Sequence, residues 1–284
     1  MTEEKPTGEA EPTPEDCPRA DGMPMLGLGT WKLTDEETAP ATVADALEMG
    51  YRHVDTADAY GNHHLVGDGL AQSAVDRDDV FLATKVWTDD LGYEDAIEAA
   101  NQAVDDLGVD SVDLLYVHWP AEAYDPEETF QAFDQLVDEG VTERIGISNF
   151  EPEQIDEAVD HADHDIFAHQ FECHPLLQQE AVRTATESHD INPVAYSPLA
   201  RGDVFGHEVI SDLAGRHGVS EAQVSLAWLR EHGVTAIPKA SSTAHLHDNW
   251  ASLSLQLNDG ELEKIDELSP HSRQVDPDFG PWNQ

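Results

Sequence analysis

The chain has only two cysteines in 284 residues, Cys17 and Cys173, and neither lies in a CxxC or other metal-ligating spacing. A disulfide framework is thereby excluded as the basis of stability. Cys173 sits in an apolar run and is expected to be a packed core thiol, whereas Cys17 lies in a polar tail. Positive charge is also scarce: 14 Lys and Arg stand against 59 Asp and Glu, a formal net charge of −45. Such a surface repels phosphate and anionic lipid, which excludes nucleic acid and membranes as partners. No run of about 18 apolar residues is present, so no membrane-spanning helix is expected. The opening Met1-Thr2-Glu3-Glu4-Lys5 lacks the basic flank and apolar stretch of a signal peptide, and the expected location is the cytoplasm.

The acids are spread along the whole chain. Their mutual repulsion opposes compaction in dilute buffer, but in about 1 M salt the screening length falls to about 3 Å and most of that cost disappears. A halophilic protein, working in molar salt, is the expectation.

Residues 1–20 hold Glu, Pro, Thr and Asp with almost no apolar groups, and are read as a disordered acidic leader. From 21 to 284 no linker interrupts the pattern, which implies one domain. β-Branched runs alternate there with helix-patterned segments. The candidate strands are Leu26–Trp31, Arg52–Thr56, Val80–Val86, Leu114–His118, Arg144–Ser148, Ile166–Glu172, Asn192–Tyr196 and Thr235–Pro238. Ile97, Ala100, Val104 and Leu107 fall on one helical face between two of them. Asp125-Pro126, Glu151-Pro152 and Ser220 to Gln223 mark helix starts. Short strands joined by single helices pair in parallel. Alternation alone does not separate a doubly wound sheet from a closed barrel; eight units favour an α/β fold of the (β/α)8, or TIM-barrel, kind.

In such a barrel the chemistry sits at the C-terminal ends of the strands. Asp55, Lys85, His118, Ser148-Asn149, Gln170, Tyr196-Ser197 and Lys239 lie at or just past strand ends, in seven of the eight candidate strands. Reducing a carbonyl by hydride requires a donor cofactor and an acid for the oxygen. Tyr60 meets the second need if a nearby cation lowers its pKa from about 10. Lys85, held by Asp55, is the candidate cation, and His118 the imidazole that orients the carbonyl. Taken singly, each has an ordinary structural reading: an ion pair, a turn tyrosine, a strand-edge histidine.

The segment Gly50-Tyr-Arg-His-Val-Asp-Thr-Ala-Asp-Ala-Tyr60-Gly-Asn resembles the signature stretch of the aldo-keto reductases. Further resemblances follow in order at Thr84–Trp87, Asp113–Pro120, Gly146–Phe150, Gln170–Pro175, Ala195–Pro198 and Ile237–Lys239, and Met25–Lys32 resembles the family's first strand. The prokaryotic 2,5-diketo-gluconate reductases are the branch it looks most like. The resemblance implies reduction of small-molecule aldehydes or ketones, with Tyr60 as proton donor, Lys85 and Asp55 behind it, and His118 orienting the substrate. It further implies that Ser148, Asn149 and Gln170 hold the nicotinamide carboxamide and that Tyr196 stacks on the ring. Ser197 and Leu199 are expected at the pyrophosphate, Lys239, Ser241 and Ser242 at the adenosine phosphate, and Asp248 and Asn249 near the adenine. Trp31, Trp87 and Trp119 would line the substrate mouth. Two departures bear on the cofactor: His245 stands where the family usually has an arginine against the 2′-phosphate, and Asp248 where a glutamate often contacts adenine. An imidazole lacks the bidentate fork of a guanidinium, so NADPH is expected with NADH also usable. The short tail implies an open mouth. A monomer without metal is expected, since no spacing among His161, His164, His169 and His174 builds a site. A rival reading is a cofactor-sensing regulatory subunit with little turnover.

Overall fold

The computed structural model describes residues 12–268 and 273–283. A small antiparallel hairpin comes first, β1 (Arg19–Ala20) with β2 (Met23–Pro24). Eight parallel strands follow: β3 (Leu28–Gly29), β4 (His53–Asp55), β5 (Phe81–Val86), β6 (Leu114–Val117), β7 (Ile145–Ser148), β8 (Ile166–Glu172), β9 (Asn192–Tyr196) and β10 (Thr235–Ala236). Each pairs with the next in sequence. Parallel bridges Leu26 to Ala236 and Gly29 to Lys239 join the first of these strands to the last, closing the (β/α)8 barrel. The closure is tight. A Cβ on Gly29 would lie 2.6 Å from the Ile237 carbonyl oxygen, so only glycine lets the two backbones approach.

Helices form the outer layer: α1 (Thr38–Met49), α2 (His63–Gln72), α3 (Tyr93–Leu107), α4 (Pro126–Asp138), α5 (Pro152–His161), α6 (Glu180–Ser188), α7 (Glu208–His217), α8 (Glu221–Glu231), α9 (Thr243–Ala251) and α10 (Asp259–Asp266). Along α3 the buried residues are Ala96, Ala100, Ala103, Val104 and Leu107, a stripe at helical spacing that faces the barrel while the acids face out. Asp125 caps α4, its carboxylate accepting the N–H groups of Glu127 and Glu128 at 3.1 Å each, with Pro126 in the first turn. Ser220 caps α8 by accepting from the Gln223 N–H at 3.1 Å, but the Gln223 side chain turns away to Asp248, so the capping box is half-formed.

Strand geometry decides what meets inside the barrel. Successive side chains alternate between the interior and the helices. Phe81 and Ala83, Leu114 and Tyr116, Ala168, and Val194 pack together in the interior with Met23 of the hairpin, while Leu82, Leu115 and Val117 join the larger cluster with the helices. Continuing the same inward register puts Lys85, His118, Gln170 and Tyr196 in one layer at the C-terminal rim. Gly146 makes room for the Tyr116 ring, which a Cβ there would meet at 2.6 Å.

The leader expected over 1–20 lies outside the described residues as far as Glu11. From Pro12 the chain is placed against the barrel, contrary to that expectation. The Pro12 carbonyl accepts the Trp250 indole N–H at 2.8 Å, Cys17 is buried, and the hairpin closes the end of the barrel where the strands begin, with His53 hydrogen-bonded to the Pro24 oxygen at 3.0 Å. The segment has little apolar surface of its own and is ordered by surface borrowed from the barrel. Cys173 is packed as expected, and burial pushes its thiol up to about 12.

Candidate active site

The C-terminal rim opens into a cleft of about 990 Å³. Beneath its floor the Lys85 ammonium lies 2.5 Å from Asp55 Oδ1, with the two side chains 0% and 1% exposed. Lys85 also donates to the Thr56 carbonyl at 2.7 Å, and Gln170 Nε2 donates to the other Asp55 oxygen at 2.8 Å. Tyr60, on a short 3-10 turn after β4, sits above this pair, with the ammonium 5.3 Å from its ring centroid. The His118 ring follows at 6.0 Å from Tyr60, edge to face, and Trp87 at 5.0 Å from His118. The sequence-predicted quartet therefore meets at one place, with Tyr60, His118 and Asp55 on the cleft wall and Lys85 behind it.

Burial dominates the electrostatics. It holds the Tyr60 phenol well above its ordinary value, and the Asp55 carboxylate adds to the rise. The acidification expected from Lys85 is not the net effect, because burial of the phenol and the nearby Asp55 carboxylate both push the other way. Burial likewise pulls Lys85 down, an effect that Asp55 partly offsets. His118 is driven well below its ordinary value by burial and by Lys85, so near neutral pH its imidazole is uncharged. A protonated phenol and a neutral imidazole thus share one wall.

Most of the residues expected at a cofactor also line this cleft: Asn149, Gln170, Tyr196, Ser197, Leu199, Lys239, Ser241, His245, Asp248 and Asn249. Asn149 and Ser197 have φ of +66° and +48°, left-handed values just past strand ends, where Asn is tolerated and Ser is strained. Asn149 donates to the His118 carbonyl and to Ser148 Oγ at 3.0 Å each, and its oxygen accepts from the Tyr196 hydroxyl at 2.7 Å. Two expected residues are not on the wall. Ser148 is buried beneath Asn149, and Ser242 is the cap of α9, accepting from the His245 N–H at 3.3 Å. Asp248 reaches the wall with its carboxylate engaged by Ser220 and Gln223 at 2.8 and 2.7 Å.

Trp31, Trp87 and Trp119 line the mouth as expected. The mouth is not left open, however: Val275, Pro277 and Phe279 of the tail form part of its wall. Phe279 stands edge-on to Trp87 and Trp119, and Trp282 packs on Trp119. The signal for this was the pair Phe279 and Trp282 in an otherwise polar tail. Arg201, not among the expected site residues, flanks the Trp31 ring with Lys32, at 4.6 and 4.2 Å from its centroid. In a chain with so few bases, Lys32, Arg201 and Lys239 all converge on this one cleft. Among the described residues no group of His, Cys, Asp and Glu is arranged to hold a metal.

Comparison with known proteins agrees with this geometry. Residues 25–270 match the aldo/keto reductase family. The chain is 36% identical over 254 residues to a 9,11-endoperoxide prostaglandin H2 reductase of Trypanosoma cruzi, covering 88% of this chain and 89% of that one. It is 36% identical over 263 residues to a methylglyoxal reductase of Escherichia coli, covering 91% and 94%. Among solved structures, a putative 2,5-diketo-D-gluconic acid reductase B superposes with a TM-score of 0.88 at 34% identity, covering 92% of this chain and 94% of that one.

Proposed function

The chain belongs to the aldo/keto reductase family and is an oxidoreductase; from that premise we propose that it reduces small aldehydes and ketones with NAD(P)H, the proton coming from Tyr60. The observation that carries this reading is the quartet at the rim: a buried Lys85–Asp55 pair at 2.5 Å under a phenol and an imidazole that share the cleft wall. The donor set of the cleft fits a dinucleotide. Lys32, Arg201 and Lys239 match phosphate charge, and Gln170 keeps its carbonyl oxygen for an amide after its N–H is given to Asp55. Tyr196 and Asn149 would hold the nicotinamide end, and Ser197 and Leu199 the pyrophosphate. When bound, NAD(P)H supplies the hydride. The chain's own groups do the rest. The His118 imidazole, neutral, donates a hydrogen bond that orients the carbonyl oxygen, and the Tyr60 phenol stays protonated until that oxygen becomes basic. Trp87, Trp119 and Phe279 exclude water from the mouth and favour small dicarbonyls and aromatic aldehydes.

The test is oxidation of NADPH and NADH by glyoxals, hexose-derived ketones and aromatic aldehydes in about 2 M KCl, where surface repulsion is screened. Turnover of at least one class is expected. Tight nucleotide binding with no turnover across the panel would replace this reading with cofactor sensing.

Cofactor preference is expected to be modest. With His245 in place of an arginine, Lys239 is the cation expected at a 2′-phosphate, and burial together with the nearby Lys32 lowers its affinity for its proton. NADPH should bind about 10-fold tighter than NADH, a difference of about 1.4 kcal/mol. Lys239→Ala should bring the two dissociation constants together, as read by quenching of tryptophan fluorescence. A preference that survives this change assigns the phosphate to another residue.

The excess of 59 acids over 14 bases supports a halophilic setting. The melting temperature is expected to rise between 0.1 M and 2 M KCl as screening shortens from about 10 Å to under 3 Å. Greater stability at the lower salt concentration would refute the halophilic assignment.

A further inference from the structure

Glu172 and His174 belong to the Gln170–Pro175 segment, yet neither has a task in the chemistry above. Glu172 ends β8, and both side chains are 0% exposed. A buried carboxylate requires donors, and here they come from far along the chain. Glu172 Oε1 accepts from His174 Nε2 at 3.0 Å and from the Gln274 N–H at 2.7 Å; Oε2 accepts from the Val275 N–H at 2.9 Å. Beyond these two amides the strap 273–283 runs over the mouth of the cleft, where Phe279 meets Trp87 and Trp119 at 6.2 and 5.4 Å. The strap has a second tie in the opposite direction. Gln274 Nε2 donates to Asp203 Oδ2 at 2.7 Å. Asp203 directly follows the turn Ala200–Gly202 after β9, and Arg201 in that turn lines the same cleft.

We propose that Glu172 and Gln274 are positioning residues: the buried carboxylate fixes the strap over the carbonyl end of the cleft, and the Gln274 side chain ties the strap to the β9 loop that walls the cofactor end, so that the two walls order together. The cofactor half of this statement rests on the reading given under Proposed function. The physical ground is the cost of undoing it. Lifting the strap takes both backbone donors from Glu172 and leaves a buried charge with His174 alone. A loop held only by the contacts of Phe279 and Trp282 would slide; one held by paired amides on a fixed carboxylate keeps its register, and with it the position of Phe279 against the substrate. Glutamine at 172 would keep one acceptor oxygen and turn an amide N–H2 towards a backbone N–H, so at least one strap contact must go.

Hydrogen exchange at the Gln274 and Val275 amides tests this without turnover. In the wild-type protein both should be protected, and Glu172→Gln should speed their exchange by about 10-fold or more. Adding NADPH should slow exchange across the strap in the wild type, and Gln274→Ala, which keeps the backbone N–H on Glu172, should abolish that slowing. In steady state both variants should raise KM for an aromatic aldehyde by about 10-fold, leaving kcat and the kcat/KM for methylglyoxal within about 2-fold. Equal exchange in wild type and Glu172→Gln overturns the latch. Equal nucleotide protection in wild type and Gln274→Ala overturns the coupling alone. A wild-type protein that binds no nucleotide overturns the functional reading and the coupling with it, while the latch is still judged by exchange. Should Glu172→Gln fail to fold, the wild-type protein decides the latch, fast exchange at the Gln274 and Val275 amides overturning it, and Gln274→Ala decides the coupling.

Discussion

Tyr60→Phe is expected to lower kcat for carbonyl reduction by about 10²–10⁴-fold, the range that a positioned proton donor contributes, while nucleotide affinity stays at the wild-type level. The substitution removes one oxygen and keeps the ring, so the edge contact with His118 and the approach of the Lys85 ammonium are retained. Loss of rate therefore reports the proton and not the packing. The direction of the phenol's shift adds a second signature. Burial and Asp55 hold Tyr60 well above its ordinary value, so the group remains a phenol throughout the working range. In the reducing direction the donor must carry its proton, and kcat should stay level up to about pH 9, short of the unperturbed phenol value of about 10. In the oxidising direction the same group must give up that proton first, and the rate should climb with pH over the same interval. Stopped-flow and steady-state profiles in both directions check this. A variant that keeps more than about a tenth of the wild-type rate would move the donor role elsewhere, His118 being the next group on the wall.

Why the quartet could be read in the sequence, and its electrostatics could not, follows from what each depends on. Asp55, Lys85 and His118 lie at the ends of strands whose alternation is written in the chain, and the inward register of Phe81, Ala83 and Lys85 or Leu114, Tyr116 and His118 follows from period two. Placement was legible because it is local. The Tyr60 shift depends on how deeply the phenol is buried and on how close the fold brings the Asp55 carboxylate, and neither is a property of the segment itself. Other side-chain partners are equally absent from the local pattern. Asp248, expected near an adenine, lines the cleft, and what the segment does not announce is that Ser220 and Gln223, at the start of α8, engage its carboxylate. Ser242, expected at the adenosine phosphate from the resemblance, also starts α9 by accepting the His245 N–H. Pro12 to Ala20 read as leader because one of its anchors, Trp250, bonds Pro12 from more than two hundred residues away. The strap is a further case: Glu172 and Gln274 are 102 positions apart, and nothing in the tail announces a carboxylate waiting for its amides.

The buried pair carries the largest expected effect on stability. Lys85→Met removes the ammonium at nearly constant length and leaves the Asp55 carboxylate, 1% exposed, with Gln170 Nε2 as its remaining side-chain donor. Breaking one side of a buried ion pair costs about 3–5 kcal/mol, because the surviving charge keeps its desolvation penalty and loses its compensation. For a domain of this size that corresponds to a fall in melting temperature of roughly 10 °C. Adding Asp55→Asn to Lys85→Met removes the stranded charge, and the double variant should recover most of the loss, since a neutral pair of similar volume often matches a buried salt bridge. Activity should not return with it. The double variant would be stable and catalytically poor, because the phenol would then sit over an uncharged floor with nothing to stabilise the phenolate left after proton transfer. Calorimetry on the four proteins of the cycle, with turnover measured on the same samples, separates the two roles. If stability and activity recover together, the pair is scaffolding and the reduction draws its electrostatics from another part of the rim; if stability returns alone, Lys85 and Asp55 are kept, at a cost in desolvation, for the proton that Tyr60 must release.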